Sequence, residues 1–147
     1  LEKLISPLPV EAEEPQPPDY NIETFRESAN NRMTKKSFAA LVTSGTVKTI
    51  EKARTVLGRA SPKCTPDIDL AEFNLQSISR NHCAIMLAKD LNFYIECIGN
   101  MIMVNTQPFN RGAIIQIHDC DLIDIGGVPF IFFENKEIMT VLRNSLS

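Results

Sequence analysis

The sequence is short of several things, and each shortage closes off a class of function. It has no tryptophan, only two histidines and only six glycines in 147 residues. Neither His82 nor His118 belongs to an evident arrangement of nucleophile and carboxylate, so no enzyme activity is expected. The four cysteines, at positions 64, 83, 97 and 120, contain no C-x-x-C spacing. Cys83 and Cys97 fall inside apolar runs, where a free thiol behaves as a small hydrophobe. Reduced thiols are therefore expected in place of a disulfide or zinc site, which favours a reducing compartment. No apolar run approaches the roughly 20 residues needed to span a bilayer, so no membrane partner is expected. Nor is there a basic then apolar signal at the start. Because the chain begins at Leu1 and not at methionine, a fragment of a longer protein is expected. The net charge of −3 and the lack of a basic stripe argue against direct nucleic-acid binding. Asp119, Asp121 and Asp124 lack calcium-loop spacing and its glycine, so neither metal nor cofactor is expected.

What is present divides unevenly. Residues 1–30 hold seven acidic and two basic residues, about −5, and five of the nine prolines. So polar and proline-rich a stretch buries too little apolar surface to offset the entropy of ordering. Residues 1–36 accordingly read as an acidic, proline-rich leader or linker. Tyr20, Ile22 and Phe25 are the groups by which it would dock, onto the domain or onto a partner.

Residues 37–147 read as one domain of short strands with turn residues between them. Ser37–Val42 and Val47–Ala53 flank Ser44-Gly45, a hairpin tip, and Thr55-Val56-Leu57 ends at Gly58-Arg59. Ile68-Asp69-Leu70 and His82–Leu87 follow. Phe93–Ile98 and Met101–Val104 then meet across Gly99-Asn100, which reads as a two-residue hairpin turn. Ala113–Ile117, Asp121–Ile125 and Val128–Phe133 complete the series. Lys136–Asn144 alone looks helical, with Ile138, Val141 and Leu142 on one face. So many short strands predict an all-β sandwich or barrel.

The loops between these strands carry the chemistry. Gly58 permits close approach of another backbone at a strand end. Arg59 leaves that end as a planar cation able to hold two anionic oxygens. Ser79 offers a hydroxyl and Arg80 a second charge, a set suited to a phosphate of about −1.5 to −2.

The ordered set of Gly58-Arg59, Ser79-Arg80-Asn81-His82, Asn100 and Asn105 resembles the forkhead-associated (FHA) domain. The likeness runs from Phe38 to about Arg143. It implies an eleven-stranded β sandwich with a short C-terminal helix, reading phosphothreonine peptides with loops at one end. By motif position Arg59, Ser79 and Arg80 would meet the phosphate and Asn100 the peptide backbone. Gly58, His82 and Asn105 would be loop scaffold. One departure stands out: the family usually places a hydroxyl residue, then Asn-Gly, where this chain has Gly99-Asn100-Met101. The pocket is then either intact with a displaced glycine or weakened and repurposed.

Within that family, Leu57-Gly58-Arg59-Ala60, Asp67–Leu70, Ile78-Ser79-Arg80 and Pro129–Phe133 resemble the C-terminal FHA domain of microspherule proteins. This implies a nuclear (or else cytosolic) protein whose partners are a phosphothreonine-bearing protein and subunits of a larger chromatin complex. The alternative is a scaffold that binds without phosphate. Peptide selectivity is expected to depend on loops that include Thr106–Arg111. Ser61-Pro62 and Thr65-Pro66 look like kinase sites but read equally as turn residues.

Overall fold

In a computed structural model, residues 21–145 are described. Eleven strands form two sheets. The first sheet has six strands in the order β2-β1-β11-β10-β7-β8: β1 (Ala39–Thr43), β2 (Thr46–Ile50), β7 (Ile102–Val104), β8 (Gln107–Phe109), β10 (Leu122–Ile125) and β11 (Val128–Glu134). The second has five in the order β4-β3-β5-β6-β9: β3 (Arg54–Gly58), β4 (Ile68–Asp69), β5 (Cys83–Leu87), β6 (Phe93–Cys97) and β9 (Ile114–Ile117). Pairing is antiparallel throughout except for β3 with β4. The sandwich with a C-terminal helix is the expected architecture.

Alternation along each strand builds the core between the sheets. Leu41, Phe130 and Phe132 from one sheet meet Leu57, Ile85, Phe93 and Ile95 from the other, all fully buried. Phe93 and Phe132 pack edge to face with centroids 5.1 Å apart. Helix α2 (Lys136–Ser145) closes one margin with Met139 in the core. Its inward face differs from the expected one, because Val141 is 59% exposed while Met139 is buried.

Helix α1 (Ile22–Arg32) lies within the stretch read as leader. Asn21 caps it by accepting a hydrogen bond from the Thr24 amide at 3.1 Å, and Glu23 and Arg32 suit the two ends of its dipole. The helix packs on the outward side of the six-stranded sheet, where Ala29 meets Ala40, Val42, Ile131 and Phe133. Ile22 and Phe25 join this second apolar layer, as expected of docking groups, whereas Tyr20 lies outside the described residues. Strands β1 and β11 are consequently buried on both sides. That explains the unbroken apolar run Phe130-Ile131-Phe132-Phe133.

One expected hairpin is absent. β6 and β7 belong to different sheets, so Gly99-Asn100 crosses from one layer to the other. Neither residue has the positive φ that a two-residue hairpin turn requires. β8, with Pro108 at its centre, was not foreseen; it is an edge strand, where a missing N–H is tolerated.

Candidate functional site

Register places the candidate loops at one end of the five-stranded sheet. Leu57 at the end of β3 faces Cys83 at the start of β5, and Cys83 faces Cys97 at the end of β6. Gly58-Arg59, Ser79–His82 and Gly99-Asn100 therefore emerge together. Asn105 does not join them: it follows the far end of β7, with φ +51. There its amide nitrogen donates to Asp121 Oδ1 at 3.0 Å, and its oxygen accepts from the Leu122 amide at 2.9 Å. These two bonds tie the β7–β8 turn to β10.

His82 braces the loops. It is fully buried; its Nδ1 accepts from the Ser79 amide at 3.0 Å, and its Nε2 lies 3.1 Å from the Met101 carbonyl. Accepting at Nδ1 assigns the proton to Nε2, so the neutral ring joins two loops. Burial pushes its pKa down, against the opposing pull of the Met101 carbonyl and Asp124. The His82 carbonyl accepts from Ile98 and Gly99, tying the third loop again.

Two glycines make room for this packing. A Cβ on Gly58 would collide with the Arg80 carbonyl, and a Cβ on Gly99 would sit 2.6 Å from Ser79 Oγ. Gly99 thus serves close approach and not a turn. With it in place, Ser79 Oγ accepts from the Asn100 amide at 3.0 Å, which leaves the hydroxyl hydrogen available. Asn100 uses one amide hydrogen on the Ser77 carbonyl at 3.2 Å, leaving its oxygen exposed to accept. Met101 holds its carbonyl toward His82, while the residue as a whole is 47% exposed.

Arg59 is half-buried, and its Nε donates to the Ile78 carbonyl at 2.9 Å. That bond fixes the plane of the guanidinium. Among the described residues no carboxylate pairs with Arg59 or with exposed Arg80, although Arg26, Arg54 and Arg143 each have one. A fixed guanidinium at Arg59, with the Ser79 hydroxyl and the exposed Arg80 on the neighbouring loop, can accept a tetrahedral dianion. Asp119, Asp121 and Asp124 have structural partners: the Glu134, His118 and Gly127 amides. No group of three metal-ligating side chains occurs among the described residues. All four cysteines are free thiols. Ser61 buries its hydroxyl, and Pro66 is buried beside exposed Thr65, so neither Ser/Thr-Pro pair is fully open.

The family model of the FHA domain matches residues 55–126. The chain contains an FHA domain. It is similar to the FHA1 domain of yeast Rad53, with a TM-score of 0.66 at 18% identity, over 84% of this chain and 92% of that one. The N-terminal FHA domain of S. cerevisiae Rad53p bound to a phosphothreonine peptide aligns with a TM-score of 0.58 at 19% identity, over 71% and 98%. An engineered FHA with a Myc-pTBD peptide gives a TM-score of 0.62 at 16% identity, over 73% and 98%. No curated protein matches the chain. An FHA domain is a binding module, and at such identities these structures establish a shared fold.

The reading from residues did not single out Gly99 as a packing glycine. The signal was its place opposite Ser79, which only tertiary structure supplies.

Proposed function

We propose that this FHA domain docks phosphothreonine peptides through Arg59, Ser79, Arg80 and Asn100, within a nuclear, chromatin-associated protein. The observation that carries the proposal is the cation arrangement. Arg59 is held by a backbone carbonyl and faces no carboxylate among the described residues, beside a serine hydroxyl and a second arginine. A fixed guanidinium with no counter-ion among the described residues favours an external one. The phosphothreonine peptide bound to the Rad53p domain supports the same reading.

Arg59 supplies two hydrogen bonds from its free fork, Ser79 a third, and Arg80 charge from the rim. Asn100 accepts a backbone N–H of the peptide and sets its register. Met101 replaces a glycine but turns its carbonyl away to His82, so the loop keeps its brace. The nuclear and chromatin assignment rests on the resemblance of Leu57–Ala60, Ile78–Arg80 and Pro129–Phe133 to microspherule proteins. Subunits of a chromatin complex are the partners that this implies.

Titration of a degenerate phosphothreonine peptide pool and its unphosphorylated twin, on wild type and Arg59→Ala, tests the docking function. Binding that needs both the phosphate and Arg59 is expected. Partner binding that survives Arg59→Ala would instead establish the phosphate-independent scaffold. Imaging of the full-length protein and recovery of its complexes test the nuclear assignment, which cytosolic retention would overturn.

A further inference from the structure

Arg111 lies in the turn between β8 and β9. β9 pairs antiparallel with β6, Glu96 facing Ile114, so a residue three before Ile114 sits past the end of β6, where the Gly99-Asn100 loop begins. The turn is tightly held: the Gly112 amide donates to the Cys97 carbonyl at 2.8 Å, and the Cys97 amide donates to the Ala113 carbonyl at 2.9 Å. Gly112 has φ +94 with open space where a Cβ would be, so glycine here satisfies the backbone. The same Cys97 donates its thiol to the Asn100 carbonyl at 2.9 Å. One residue thus braces both the Arg111 turn and the loop that would align a peptide. Burial pushes the Cys97 thiol up, while the nearby Arg111 charge pulls it down.

Charge at this end is one-sided. Among the described residues Arg111 is exposed and has no carboxylate partner, like Arg59 and Arg80. The one carboxylate on the adjoining stretch of β6, Glu96, is paired with Arg54 at 3.3 Å. Asp69 and Asp124 accept from backbone amides of their own turns. Nothing in the chain's own described surface answers this third cation.

We infer that Arg111 reads an anionic side chain flanking the phosphothreonine, so that the preferred ligand is an acidic phosphopeptide. The inference rests on the docking function proposed above and names its ligand class. Its chemistry is an exposed ion pair, so selectivity of about two- to five-fold is expected from each such contact. A glutamate, an aspartate or a second phosphate would serve, the last more strongly through its greater charge.

The test is a set of peptides with one phosphothreonine in a neutral context. A single aspartate is walked through the flanking positions, and phosphoserine is then placed at the best one. Each is titrated on wild type, Arg111→Gln and Arg59→Ala, with melting curves to confirm folding. Aspartate at one or two positions should raise affinity about two- to five-fold, and phosphoserine there more. The gain should shrink as salt rises from about 0.1 to about 1 M, where the Debye length drops from ~10 to ~3 Å. In Arg111→Gln it should vanish while affinity for the neutral phosphopeptide is retained. No gain at any position, or a gain that persists in Arg111→Gln, overturns the inference. A neutral phosphopeptide that fails to bind, or binds Arg59→Ala equally well, is a separate result. It overturns the docking function and this inference with it.

Discussion

Arg26 and Arg59 carry the same group in opposite circumstances, at two differently built regions of the molecule. Arg26 reaches from α1 to Asp119 at 3.0 Å and lies over the Phe133 ring, 4.9 Å from its centroid. Asp119 also accepts from the Glu134 amide and lies 3.5 Å from Lys136. Burial raises the Asp119 pKa, but the bonds from Arg26 and Glu134 outweigh it and hold the carboxyl below its ordinary value. At the loop end, Arg59 has one carbonyl bond and no carboxylate among the described residues. A compensated cation on a helix–sheet seam fastens the fold. One on braced loops with no carboxylate partner among the described residues is the cation to which the proposed function gives a ligand. The two regions should therefore fail independently.

The largest expected effect breaks the loop end alone. Arg59→Ala should weaken phosphopeptide binding by roughly 2–5 kcal/mol, since it leaves a phosphate without its main partner. Calorimetry checks this, with a melting temperature close to wild type. The converse is Ala29→Asp in α1, which puts a carboxylate into a fully buried apolar layer. It should cost about 1–3 kcal/mol in denaturant unfolding and leave peptide affinity unchanged. Ser79→Ala is a smaller cut at the loop end. It removes the acceptor for the Asn100 amide and one donor to the phosphate, so binding should fall by about 1–1.5 kcal/mol.

The smallest effect is a pH slope that both regions share. His82 has a folded pKa below its ordinary 6.5, so the unfolded chain binds that proton first as pH falls. Its stabilising contribution is complete above 6.5 and declines as pH drops toward the folded value. Asp119, also depressed, contributes above its unfolded pKa and is lost only in more acid solution. Unfolding free energy measured against pH should show two separate declines, each no steeper than about 1.4 kcal/mol per pH unit. Asp119→Asn should lessen only the acid one, to which Asp67, Asp69 and Asp90, held down by their own hydrogen bonds, also contribute.

Much of this was legible before any coordinates. Strand alternation and turn residues pointed to the sandwich. The ordered set Gly58-Arg59, Ser79, His82 and Asn100, through its resemblance to the FHA domain, pointed to loops that the structure does bring to one end. The Gly99-Asn100 connection was misread because a glycine needed for space looks the same as one needed for φ. α1 was obscured by composition: Ile22 and Phe25 stood out as docking groups, but acidic, proline-rich surroundings hid the helical spacing that joins them to Ala29. The run Phe130–Phe133 held a clue, since a strand apolar on both faces needs two covers. Arg111 was included only within a loop expected to shape selectivity. Its closeness to the Asn100 loop depends on the β6–β9 pairing.

The most direct test of the account is the affinity of one phosphothreonine peptide for wild type, Arg59→Ala and Ala29→Asp, measured beside the stability of each. Loss of binding without loss of stability in the first variant, and the reverse in the second, is the predicted result. Equal peptide affinity in wild type and Arg59→Ala would contradict the account, leaving the loop end without the role assigned to it.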